Sequence, residues 1–155
     1  MSDPVDLRVV PEPPARLFTV EDANRLVPAL DRIFGSMDAH LLRLREIRDL
    51  LEDHEVYWGR ELHEASNPER QDYVRLVAEL NEVRNTLDAG SDEIRSIGCE
   101  LKDPALGLVD FYAIKDGELV YLCWRRGEPK VANWHTLEGG FAARKPIRRG
   151  TRAEL

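Results

Sequence analysis

Val109-Asp110-Phe111-Tyr112-Ala113-Ile114-Lys115-Asp116-Gly117-Glu118-Leu119-Val120-Tyr121-Leu122-Cys123-Trp124 reads as a β-hairpin. Two runs rich in β-branched and aromatic residues flank Asp116-Gly117, which supplies the positive φ angles of a type I′ turn. A two-residue turn fixes the register. Lys115 faces Glu118, Ile114 faces Leu119, Ala113 faces Val120, Tyr112 faces Tyr121, Phe111 faces Leu122 and Asp110 faces Cys123. Because side chains alternate along a strand, one face carries Val109, Phe111, Ala113, Val120, Leu122 and Trp124, which are all apolar and form the core side. The other carries Asp110, Tyr112, Ile114, Leu119, Tyr121 and Cys123. Directly opposed residues lie about 5 Å apart at Cβ, so Asp110 and Cys123 are within reach of each other.

After the hairpin, Gly127-Glu128-Pro129 turns the chain, Val131 to His135 reads as a third strand, and Gly139-Gly140 ends it. The face on which His135 lies depends on the register of that loop, which the sequence leaves open.

Before the hairpin, the period is helical. Thr19 followed by Glu21 and Asp22 is an N-cap with acidic residues in the first turn. Apolar residues then recur at Ala23, Leu26, Val27, Leu30, Ile33, Phe34, Met37, Leu41, Leu44, Ile47 and Leu51, in steps of mostly three and four. Pro28 either kinks this helix or marks its first turn. From Asp53 to Pro68 the period fails, which predicts a long connection. A second helix begins near Pro68, with Tyr73, Val74, Val77, Leu80, Val83, Leu87, Ile94 and Ile97 as its stripe and Gly90-Ser91 as a possible break. Two such helices predict an antiparallel hairpin with a heptad-like, coiled-coil seam. The fold class expected is α+β: a long helical hairpin packed with a small C-terminal antiparallel sheet. Residues 17–147 form the domain, with the hairpin over 17–97 and the β-meander over 98–147. A proline-rich leader (1–16) precedes it and a basic tail (148–155) follows.

The 155 residues include 43% hydrophobic and 33% charged side chains, as expected of a globular chain with a well-charged surface. No run reaches the roughly 18 apolar residues of a membrane span, and the N-terminus lacks a basic segment followed by an apolar one. A cytoplasmic location is the expectation. Two cysteines are too few for a disulfide framework. A net charge of −7 argues against nucleic acid as a partner. The charge is unevenly spread: residues 125–155 hold eight basic and three acidic side chains, net +5, which leaves −12 for the remainder. An acidic body with a basic end can pair with a second copy, and a bare helical hairpin leaves apolar surface to cover. A homo-oligomer through the helices, most simply a dimer, is the partner expected.

Phe18-Thr19-Val20-Glu21-Asp22-Ala23-Asn24, Lys102-Asp103-Pro104 with Gly107-Leu108-Val109-Asp110-Phe111, Val120-Tyr121-Leu122-Cys123-Trp124 with Gly127-Glu128-Pro129, and Trp134-His135 with Gly140-Phe141 and Arg144 together resemble a prokaryotic family catalogued as a domain of unknown function, number 2203. The likeness covers roughly Leu17 to Ile147. It implies the extent of the domain and no activity. Cys99 and Glu100 fall where the family has apolar or variable residues, which sets them outside any shared site.

The chemistry is concentrated between Gly98 and Ile147. Asp110, Cys123, Glu128 and His135 are carboxylate, thiol and imidazole donors of the kind that bind a divalent transition metal, zinc or iron, although their spacing matches no standard signature. The competing reading makes Cys123 a small buried hydrophobe, Glu128 a turn residue and His135 a hydrogen-bonded core histidine. Trp124 and Trp134, with Tyr112, Tyr121 and Arg144, add apolar walls and a planar cation to a candidate ligand site of Asp110, Tyr112, Tyr121, Trp124, Glu128, Trp134 and Arg144. Cys123 as a nucleophile activated by His135 is disfavoured, since a thiol in mid-strand is usually inert. A second cluster, His54 and His63 with Glu55, Glu61 and Glu64, fits a solvated loop better than a metal site. No phosphate loop, nucleophile elbow or dinucleotide fingerprint is present. The function expected is therefore binding of a small ligand or metal at the polar face of the sheet. The alternatives are a helical interaction module and a metal-assisted hydrolase.

Overall fold

In a computed structural model that describes residues 16–59 and 67–148, two long helices pack on one face of a five-stranded antiparallel sheet. The proline-rich leader, apart from Arg16, the residues Glu61, His63 and Glu64, and the tail after Arg148 lie outside the described residues. Helix α1 spans Val20–Trp58 and α2 spans Asn67–Ser96. The sheet is ordered β1 (Glu100–Asp103), β2 (Leu108–Lys115), β3 (Glu118–Arg125), β4 (Asn133–Thr136) and β5 (Lys145–Pro146), each strand beside its neighbours in sequence. No helix among the described residues is long and apolar enough to cross a membrane.

Thr19 starts α1 through a capping box: its hydroxyl accepts from the Asp22 amide at 3.0 Å, and the Asp22 carboxylate accepts from the Thr19 amide at 3.1 Å. Pro28 lies inside the helix and is not its first residue, so α1 forgoes only the one backbone bond proline cannot donate. The helix also runs past the expected end at Leu51. His54 and Trp58 continue the inward stripe after Ile47 and Leu51 in steps of four, three and four, and both are half-buried. The His54 ring meets Tyr73 of α2 edge-on at 6.4 Å. A histidine and a tryptophan thus serve as inward-facing positions where a connection was expected. Gly90-Ser91 does not interrupt α2 either. Gly90 lets the helices close up, since a Cβ there would fall 2.9 Å from Met37 Sδ.

The hairpin register holds at every expected pair from Asp110↔Cys123 to Lys115↔Glu118, with Asp116 (φ 52°) and Gly117 (φ 78°) at the turn. Val109, Phe111, Ala113, Val120, Leu122 and Trp124 are buried against Phe18, Leu30, Phe34 and their neighbours, forming the core. The Phe18 amide donates to the Tyr112 carbonyl at 2.7 Å, and Asn24 Oδ1 accepts from the Val131 amide at 2.7 Å, so β2 and the connection between β3 and β4 are both tied to the start of α1. The third strand is shorter and later than expected, Asn133–Thr136. Strands β1 and β5 are additions. The alternation of Cys99 and Leu101 with Glu100 and Lys102 is the sequence signal for β1, faint because the strand has only four residues and a register shift between Leu101 and Asp103.

Candidate metal centre

Pairing of β4 with β3 decides the face of His135. Tyr121 faces His135 and Cys123 faces Asn133, so His135 shares the face of Asp110, Tyr121 and Cys123, opposite the helices. Asp110 and Cys123 come there through the hairpin register. Ligand atoms of the three residues all lie within 4.8 Å of one another, and each residue is at most 3% exposed.

The hydrogen bonds orient the imidazole. Nδ1 of His135 lies 2.6 Å from the Thr136 carbonyl, which can only accept, so Nδ1 carries a proton and donates. Nε2 is then the nitrogen facing Asp110 Oδ2 at 3.0 Å, and a single proton shared across that contact closes it. Burial pushes the Asp110 carboxyl above its ordinary range, opposed by His135, which favours the carboxylate by charge and hydrogen bond. Burial likewise pushes the Cys123 thiol up to about 12; the Asp110 charge and hydrogen bond push the same way, and Arg144 opposes them.

Around the three residues is a ring of long polar side chains. The Tyr121 ring lies 5.4 Å from that of His135, and Lys102 Nζ stands 4.6 Å from the centre of the Tyr121 ring. Tyr121 donates to the Tyr112 hydroxyl at 2.9 Å, and Tyr112 donates to Glu100 at 3.0 Å. The Tyr112 hydroxyl is pushed up, by its contact with Tyr121 first, then by burial and by its bond to Glu100. Glu100 and Lys102, which sequence reasoning left out, therefore belong to this network; β1 brings Glu100 opposite Asp110.

Other candidates fall elsewhere. Trp124 lies on the core face, fully buried, with its ring 6.2 Å from Phe34 and its Nε1 donating to the Glu128 carbonyl at 3.0 Å. Trp134 pairs with Leu122 and so points to the core side; Lys115 and Lys145 sit 4.5 and 5.5 Å from its ring. Glu128 is not among the three clustered donors. Its carboxylate accepts from the Arg125 amide at 2.7 Å and from Arg144 at 2.9 Å. Arg144 also opposes the rise of the Cys123 thiol, which links Glu128 to the edge of the group. Cys99 is buried in the core with its thiol on the Ile94 carbonyl at 3.2 Å.

Asp110, Cys123 and His135 supply one oxygen, one sulfur and one nitrogen donor. With thiol and carboxyl deprotonated and the imidazole neutral, two negative charges balance a divalent cation, the least costly arrangement away from water. The existing Nδ1 bond to a carbonyl is the outer contact that commonly fixes a ligating histidine. Three protein ligands leave a fourth position of a tetrahedral site open.

The chain belongs to the family of uncharacterized conserved proteins DUF2203, which its residues 16–147 match. No curated protein and no solved structure matches it.

Proposed function

We propose that this protein binds a divalent transition metal, zinc or iron, on the face of the sheet turned away from the helices, with Asp110, Cys123 and His135 as ligands. The observation that carries the reading is the convergence of three different donor types within 4.8 Å at buried positions on three strands. A core polar cluster needs only mutual hydrogen bonds. This one adds a thiol, the softest ligand available, next to a carboxylate and a correctly oriented imidazole. Arg144 and Tyr121 border the group, and a small ligand on a bound metal would have them as neighbours.

Elemental analysis of untagged protein, purified without chelator, tests this. About one equivalent of zinc or iron per chain is expected, retained through dialysis and lost in Cys123→Ser and in His135→Ala. Cobalt(II) added to metal-free protein should give a thiolate charge-transfer band that Cys123→Ser removes. Folded wild-type protein without metal, and with no cobalt spectrum on titration, overturns the proposal.

A further inference from the structure

Helix α1 is fastened to the sheet as far as Asp38, whose carboxylate takes a bidentate bond from Arg126. Beyond it α1 and α2 continue as an arm of two helices; residues 41–58 of α1 alone run about 27 Å. Ile47 is the one buried residue in the described parts of this arm, 41–58 and 68–80. Of seven large hydrophobic residues well exposed among the described residues, five are here: Leu42, Leu50, Val56, Tyr57 and Val74. Such a cluster on a surface segment signals a partner.

Charge along the arm identifies the partner. In α1, residues 41–48 carry three arginines and one glutamate, net +2, whereas residues 49–56 carry Asp49, Glu52, Asp53 and Glu55, net −4. Arg43 is taken up within the chain by Glu79 at 2.6 Å and by Glu46. Arg45 and Arg48, however, are exposed and have no acidic partner among the described residues, and the same is true of Asp49, Glu52 and Asp53 for basic ones. A basic half followed by an acidic half is complementary to a copy of itself laid antiparallel. Leu42, Asp49 and Val56 stand at seven-residue steps and so share one helix face.

We infer that the arm docks against the arm of a second copy of this chain across a two-fold axis near Asp49. Leu42 of one copy then meets Val56 of the other, and Arg45 meets Asp53, each contact made twice as the symmetry requires; the two Asp49 carboxylates that meet at the axis are offset by Arg48, the adjacent residue on each copy. The arrangement covers the exposed apolar face and leaves the sheet and its polar group untouched, so it stands or falls apart from the metal proposal.

Solution mass by light scattering or sedimentation on the full chain is the test. Wild type should have twice the 17.8 kDa chain mass. Leu42→Glu should weaken the dimer about tenfold or more, with helical circular dichroism unchanged because the position is 60% exposed in the single chain. Two charge variants guard against misfolding of that one: Arg45→Glu with Arg48→Glu, and Glu52→Arg with Asp53→Arg. Each should be weakened alone, and a mixture of the two should recover dimer. A monomeric wild type, or a dimer indifferent to Leu42→Glu and to both charge variants, overturns the inference.

Discussion

Both faces of the sheet hold buried side chains, but they are covered by different means. The helix side is closed by two helices, and the sheet residues buried there are all apolar, with Trp124 the largest of those fully buried. The far side is closed by side chains of the sheet itself, notably Tyr121 and Lys102, and holds Asp110, Cys123 and His135. Burial of apolar surface stabilises in proportion to area. Burial of a carboxylate and an imidazole costs free energy that their mutual bond only offsets, so a group of this kind is not accounted for by stability alone.

The comparison is broken most violently from the helix side. Trp124→Ala should cost about 3 to 5 kcal/mol in urea unfolding, because a cavity opens between β3 and Phe34 and the Glu128 carbonyl loses its indole donor. A loss below about 1 kcal/mol would mean that the helices collapse into the space and that the core is far less tightly packed than its burial suggests.

A change on the far side should cost less and behave differently. His135→Ala removes little apolar area but leaves the Asp110 carboxyl buried without its partner, worth about 1 to 3 kcal/mol in metal-free protein. Adding Asp110→Ala should then cost much less than it does in wild type, since the stranded group is removed. Strict additivity of the two changes would show that the pair is not coupled and that the far side is merely another piece of core.

The same contrast explains how much could be read in advance. The hairpin was legible because Asp116-Gly117 sets the register and strict alternation sets the face; from those two facts Asp110 had to meet Cys123. Trp124 shares the parity of Val120 and Leu122, so its place in the core was also legible, although its size and neighbours suggested a pocket wall. His135 was not placed, because its face hangs on how residues 126–132 pass from β3 to β4, and one residue more or less would have turned it to the helices. Glu128 looked like a ligand by type, but a loop carboxylate is easily satisfied by a nearby amide and an arginine, and the sequence does not announce that Arg144 comes back to it. Glu100 was set aside because it falls where the family has apolar or variable residues, and its strand of four residues gave no competing signal. In the helices, His54 and Trp58 hid the last two turns of α1, since neither type marks an apolar stripe when read singly.

The two thiols give the smallest and most graded version of the comparison, and the helix-side one isolates the effect of burial. Cys99, in the core, is pushed up to about 11, with desolvation the leading cause. An unfolded thiol titrates near 8.5. Below that value both states hold the proton, and the stabilising contribution of the buried thiol is fully present. Above it the unfolded chain releases the proton and the folded chain keeps it, so stability falls as pH rises toward 11, by about 1.4 kcal/mol per pH unit for one thiol. Tyrosines and Cys123 add their own alkaline losses, but Cys99→Ala shares all of those. The alanine variant should therefore be less stable than wild type at pH 7, by about 1 kcal/mol for the lost packing. That gap should narrow from about pH 8.5, be largely closed at pH 9 and reverse by about pH 10. Urea midpoints for the two proteins at pH 7, 9 and 10 measure it. A gap that stays constant across that range would mean that Cys99 ionises in the folded chain as readily as in the unfolded one, and that the apolar layer beneath β1 admits water.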